Sequence, residues 1–189
     1  MLNVQNVWGG SLDEVVLSVY TGGAHCCFET LIALVDGPFR GRLLDRNWGD
    51  PGYHGQWHEG IFDFISADDR FAYQFTAFAA SGLPLQVWTI DPYARFVDVT
   101  PTRLELVRTD ARQWWRAYVK WRGKKDGDVR GILAAWCADE YRLGARSACT
   151  VELGKALAKG WLAGPDIWRR NRAYVAALER TLANWGYAG

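Results

Sequence analysis

The sequence predicts an α+β fold. An N-terminal antiparallel β meander of about seven short strands, residues 1–100, precedes a C-terminal bundle of about four helices, residues 101–189. Three observations carry this. Up to about residue 100, apolar and aromatic residues come in short runs or alternate at period two, between clusters of Gly, Pro, Asp and Asn. Beyond "TPTRLELVRTD" the apolar period becomes helical. Strands and helices are segregated along the chain, which argues against a wound βαβ fold.

The strands follow in order. "EVVLSVY" and "FETLIALV" are the first two, the second ended by the turn signal Asp36-Gly37-Pro38, and "FRGRLLD" can return as a third. "NWGDPGYHGQWHEG" is dense in glycine and reads as a loop, then "IFDFIS" as a short strand. "RFAYQFTAF" places Phe71, Tyr73 and Phe75 on one face by strict alternation, as a half-buried strand requires. "LQVWTI" and "RFVDV" complete the meander across Asp91-Pro92-Tyr93-Ala94.

The helices follow from stripes at i, i+3, i+4 and i+7. Trp114, Tyr118 and Trp121 mark the first; Val129, Ile132, Leu133, Trp136 and Cys137 mark the second, closed by Gly144 as a left-handed cap. Leu153, Ala156, Leu157, Gly160 and Trp161 mark the third. The fourth is expected to open at Pro165 and Asp166 and to run through Ile167, Asn171, Tyr174, Leu178, Leu182 and Trp185.

At 189 residues the chain suits one domain, or a β unit with a helical region packed on or beside it, and needs neither metal nor disulfide for a core. No apolar run approaches ~20 residues, so no membrane span is predicted. The start "MLNVQNVWGG" has neither the basic nor the apolar region of a signal peptide, so any export segment is expected to lie outside this chain. The net charge of +1 hides a polarity: residues 1–100 carry 5 Lys or Arg against 12 Asp or Glu, and residues 101–189 carry 17 against 9. That asymmetry admits a basic surface on the helical half, through Arg122, Lys124, Lys125, Arg169, Arg170 and Arg172.

Several residues could carry chemistry. Eleven tryptophans offer either core or stacking platforms. In the glycine-rich stretch, Trp48, Tyr53, His54, Trp57 and His58 are the candidate binding residues, for a glycan or a protein. Cys137 and Cys149 flank the bend at Gly144 and are candidates for a disulfide, as are Cys26 and Cys27. In "TGGAHCC", Gly22-Gly23 is expected to link two strands, with His25 and the two cysteines starting the second strand on alternating faces. A metal site would draw on His25, His54 and His58, of which only the last two have ligand-like spacing. A hydrolase would use Glu59, Asp63 or Asp68 as carboxylates, or Cys26 with His54 as nucleophile and base. There is no P-loop, G-x-G-x-x-G, G-x-S-x-G or H-E-x-x-H, and nucleic acid is not an expected partner.

The segments "DEVVLSVYTGGAHCC", "WGDPGY", "FISADDRFAYQFTAFAASGLPLQVW", "FVDVT" and, more loosely, "ILAAWCADEYRLG" resemble exported bacterial proteins of unknown function with FG-GAP-like (VCBS, integrin-propeller-like) elements. The resemblance implies an extracytoplasmic or secreted β module with a helical C-terminal region, and calcium in acidic loops before the strand pairs. Here those loops read "VWGGSLDE" and "QWHEGIFD", without the alternating aspartates that calcium uses, so no cofactor is expected. The sequence thus points to a non-catalytic extracytoplasmic module that binds a glycan or protein, with a carboxylate hydrolase or a basic partner-binding protein as the alternatives.

Overall fold

The computed structural model describes residues 1–164 and 168–187. The chain divides into two compact units. A β unit comprises Met1–Asp69 and Gln86–Thr102; a helical unit comprises Arg70–Leu85 and the chain from Arg103 onward.

The β unit holds two four-stranded sheets. The first contains β1 (Leu2–Gln5), β2 (Glu14–Tyr20), β3 (Phe28–Ala33) and β4 (Leu43–Asn47), in chain order and antiparallel throughout. The second contains β5 (His54–His58), β6 (Ile61–Ala67), β7 (Leu85–Ile90) and β8 (Phe96–Asp98), again in chain order.

Register decides what the first sheet turns inward. Val16 pairs with Ile32 and Ile32 with Leu44, and all three are buried. Two residues along on the same face, Ser18 pairs with Thr30 and Thr30 with Arg46. Two further, Tyr20 pairs with Phe28. The inner face therefore grades from apolar to polar to aromatic. The opposite face is exposed, with Leu2, Val4, Val15, Leu17, Val19, Leu31 and Leu43 on it, and with Glu29, Asp45 and Asn47 toward the β3–β4 side. The core of this unit is built from both sheets: Val16, Ile32 and Leu44 with Phe62, Phe64 and Ile90, closed by Trp48. Trp48 stacks on Phe64 at 5.6 Å and meets Tyr53 at 4.9 Å, separations at which aromatic pairs attract.

The helical unit contains α1 (Leu104–Trp121), α2 (Arg130–Arg142), α3 (Arg146–Ala158) and α4 (Asn171–Asn184). The expected start of the last helix at Pro165–Ile167 lies outside the described residues. Helix α2 is buried almost all round, through Leu133, Ala134, Trp136, Cys137 and Ala138. Cys137 and Cys149 form a disulfide, S–S 2.09 Å, that ties α2 to α3. Arg130 is fully buried: Nε and Nη2 donate to the two oxygens of Asp128 at 2.9 and 2.6 Å, and Nη1 donates to the Arg169 carbonyl at 2.8 Å. Asp110 on α1 accepts from the Leu85 amide and the Trp114 indole, both at 2.9 Å. Burial, then the neighbouring Asp110 carboxylate, pushes Asp139 on α2 well above the usual carboxylate range. Two carboxylates in so dry a place share a proton rather than ionise together.

Three expectations are corrected. "RFAYQFTAF" is not a strand. It forms short 3₁₀ turns at Asp69–Phe71 and Phe78–Ala80, and residues 70–85 belong with the helices. Phe71 and Phe75 are buried against the aromatic rings of Trp185, Tyr187 and Tyr174, whereas Tyr73 is half-exposed, so the alternation was coincidental. The stretch "NWGDPGYHGQWHEG" hides strand β5, and "MLNVQ" supplies β1, giving eight strands in all among the described residues. "TGGAHCC" is the exposed loop between β2 and β3, not the start of a strand. The Thr21 amide donates to the Cys27 carbonyl at 2.9 Å, and strand β3 begins only at Phe28.

Candidate functional site

The polar and aromatic rows on the inner face of the first sheet end in a cleft of about 550 Å³ within the β unit. Tyr20 (45% exposed) and Phe28 (39%) offer ring faces, their centroids 5.0 Å apart. Asn3, Gln5, Ser18, Thr30, Tyr53 and His54 supply the polar lining. No Asp, Glu, Lys or Arg side chain lines it among the described residues.

The hydroxyls form a connected row. Trp48 Nε1 donates to Thr30 Oγ1 at 2.9 Å, Thr30 Oγ1 lies 3.2 Å from Ser18 Oγ, and Ser18 Oγ lies 3.4 Å from the Tyr53 hydroxyl. An indole N–H only donates, so Thr30 accepts there, and either hydroxyl can donate in the two links that follow, which end on Tyr53, a lining residue of the cleft. Two glycines let the wall form. Gly52 adopts φ +62°, and the Phe28 ring lies where a side chain there would begin. At Gly55 a Cβ would collide with the Phe62 ring, which covers the β5 backbone at that point. Ser66 Oγ donates to the Gly52 carbonyl at 2.6 Å and fixes the same turn.

The candidate binding residues separate. Tyr53 and His54 line the cleft. Trp48 does not: it is buried behind the cleft, where it positions Thr30. Trp57 lies outside, 48% exposed and edge-on to Phe62, and His58 ends β5 away from the lining. Ser18, Tyr20, Phe28 and Thr30 were not read as binding residues. Their signal lay in aligning "EVVLSVY" with "FETLIALV" across the seven-residue loop.

The catalytic and metal candidates do not assemble. Glu59 sits exposed on the β5–β6 turn, whereas Asp63 and Asp68 are buried. Asp63 lies within strand β6 and Asp68 just beyond its end at Ala67. Cys26 lies on the exposed β2–β3 loop and His54 opens strand β5. Among the described residues, no three His, Cys, Asp or Glu side chains converge, and His25 lies on the β2–β3 loop, remote in sequence from the strand carrying His54 and His58. Of the two loops where the resemblance implies calcium, one ends in Glu14, whose Oε2 accepts from the Val7 amide at 2.8 Å while its buried Oε1 has no hydrogen-bond partner, and the other ends in the buried Asp63; neither carries the alternating aspartates that calcium uses. In the helical half, Arg122 turns onto Glu152 at 3.4 Å and over the Trp161 ring at 5.2 Å.

These observations define an α+β protein with an aromatic-walled cleft in its β unit, lined by no Asp, Glu, Lys or Arg side chain. Compared with known proteins, the chain is 27% identical over 141 residues to a probable thylakoid lumen protein of Synechocystis sp., the match covering 69% of this chain and 40% of that relative. The chain thus spans less than half the length of the curated relative it matches. No family model matches the chain, FG-GAP and VCBS included, and no solved structure matches it. No described helix is long and apolar enough to cross a membrane.

Proposed function

We propose that the protein is a non-catalytic extracytoplasmic binding module whose β-unit cleft takes a neutral saccharide. The observation that carries this is the cleft's chemistry: aromatic faces beside hydroxyls, amides and an imidazole, with no Asp, Glu, Lys or Arg side chain in the lining and the Met1 amino group turned onto the Ser18 carbonyl. Sugar rings present C–H faces to aromatic rings and hydroxyls to neutral donors and acceptors, and a connected hydroxyl row satisfies them without desolvating a charge. The relative described as a probable thylakoid lumen protein and the Cys137–Cys149 bond support an extracytoplasmic setting.

Titration with chitotetraose and cellotetraose, followed by calorimetry, tests the reading. At least one is expected to bind, with Tyr20→Ala weakening it about tenfold or more through loss of a stacking ring and Tyr53→Ala weakening it through loss of the polar lining. Binding that both variants leave unchanged, or no binding of either sugar, would overturn it.

Protein binding is favoured by a different observation, the apolar residues exposed on one face of the first sheet, since such patches mark interaction surfaces. Leu17→Lys and Leu31→Lys place charge in its middle. They are expected to leave saccharide binding intact; loss of that binding would move the ligand onto that face.

A further inference from the structure

A second cavity in the β unit, about 830 Å³, lies beside the loop Gly9-Gly10-Ser11 and the turn Asp36-Gly37-Pro38. It is distinct from the saccharide cleft, sharing only Phe62 as a lining residue. Its size is that of a small-molecule pocket. Val7, Phe62 and Ile90 are buried in its floor, and Trp8, Ile61 and Val97 complete the apolar wall.

Its polar groups are nearly all committed within the protein. The Trp8 indole donates to the Asp91 carbonyl at 3.0 Å, and the Thr89 hydroxyl donates to the Phe62 carbonyl at 3.0 Å. Two carboxylates line the cavity, and they differ. Asp91 is neutralised by Arg95, whose Nε and Nη2 donate to Oδ2 at 2.9 and 2.7 Å. Asp36 has no cation. Its Oδ2 accepts from the Ser11 amide at 2.9 Å, the Ser11 hydroxyl at 2.7 Å and the Leu12 amide at 3.1 Å, all neutral donors. Its Oδ1 lies against Gly10 and accepts no hydrogen bond. The Ser11 hydroxyl, with the two amides, holds the Asp36 carboxyl below its ordinary range, so the group is a carboxylate at neutral pH. Among the described residues no Lys, Arg or His lines the cavity.

An apolar enclosure with one uncompensated negative charge selects by sign. We propose that this cavity is a second binding site, for a small organic cation whose apolar body fills the pocket between Trp8, Ile61 and Phe62 and whose protonated amine lies beside Asp36. A neutral analogue would keep the apolar contacts and lose the attraction. An anion of the same shape would be repelled.

Three dansyl probes test this by fluorescence: dansylcadaverine, a cation; dansylamide, neutral; and dansylglycine, an anion. The cation is expected to bind about fivefold more tightly than the neutral probe, the scale of one partly exposed charge pair, and the anion more weakly than either. Asp36→Asn should abolish the ranking while leaving dansylamide unchanged. Ile61→Trp, at a position 47% exposed and therefore tolerant of a larger ring, should fill the pocket and weaken all three. If Asp36→Asn fails to fold, the ranking of the three probes on the unaltered chain, and its collapse in high salt, still decides. Equal affinities, a preference for dansylglycine, or probe binding indifferent to Ile61→Trp would each overturn the proposal.

Discussion

Both units bury charged side chains, Glu14, Asp63 and Asp68 in the β unit and Arg130, Asp139 and Glu152 in the helical unit, but they differ in what they leave along a surface. The helical unit buries charge: Arg130 is sealed against Asp128, Asp139 against Asp110, and Glu152 takes the Tyr118 hydroxyl at 3.0 Å and the Arg122 guanidinium at 3.4 Å. Those groups are turned inward to one another. The β unit builds its core from Trp48, Phe62, Phe64 and aliphatic pairs, and leaves uncharged hydroxyls, amides and ring faces along a cleft. Buried ion pairs fix a fold, while unspent neutral polar groups beside aromatic faces can meet a ligand. On the proposed reading, recognition belongs to the β unit.

The comparison can be broken in order of effect. Arg130→Met leaves the carboxylate of Asp128 without its partner and should cost about 3–5 kcal/mol, the scale for breaking a buried pair. Thermal unfolding followed by circular dichroism should fall by roughly 6–20 °C, and an unchanged midpoint would show that the guanidinium is replaceable packing. Removing the Cys137–Cys149 bridge with Cys149→Ser should cost about 2–4 kcal/mol for a loop of this length, read by urea denaturation with and without reductant. In the unaltered chain reductant should reproduce that loss, and in the variant it should add little.

Next comes pH. Asp139 titrates well above the usual carboxylate range in the folded chain and near pH ~4 when unfolded. The folded state therefore holds a proton that the unfolded state has released. The stability this contributes is complete below about pH 4 and is lost as pH rises toward the raised value. Asp139→Asn should flatten that decline, and a slope that survives it would assign the titration to another group. The smallest effect belongs to the β unit: Tyr53→Phe keeps the ring and removes the end of the hydroxyl row, worth about 1 kcal/mol. It should weaken saccharide binding roughly fivefold and leave the unfolding midpoint in place.

Much of the fold is legible in the sequence where local pattern and tertiary environment agree. The helical stripes of Val129, Leu133 and Trp136 became the buried face of α2, and "EVVLSVY", "IFDFIS" and "LQVWTI" became β2, β6 and β7. The segment 70–85 was misread because Phe71, Tyr73 and Phe75 alternate like a strand, although the helices take Phe71 and Phe75 and leave Tyr73 out. Strand β5 was hidden because Gly55, needed under the Phe62 ring, looks like a loop residue. Of the site, Tyr53 and His54 were legible as aromatic and polar residues in a glycine-rich stretch. Ser18 and Thr30 were not, because nothing local marks two hydroxyls that only strand register brings together. Trp48 misled for the opposite reason: the residue type that suggests a stacking platform here serves as a buried donor.

The most direct test of the division of labour is an amide chemical-shift map of the ¹⁵N-labelled chain titrated with chitotetraose and, separately, cellotetraose. For whichever sugar binds, the amides of Ser18, Tyr20, Phe28, Thr30 and residues 52–55 are expected to shift together and saturably, with residues 104–187 unmoved. Shifts confined to the helical residues, or none with either sugar, would contradict the account.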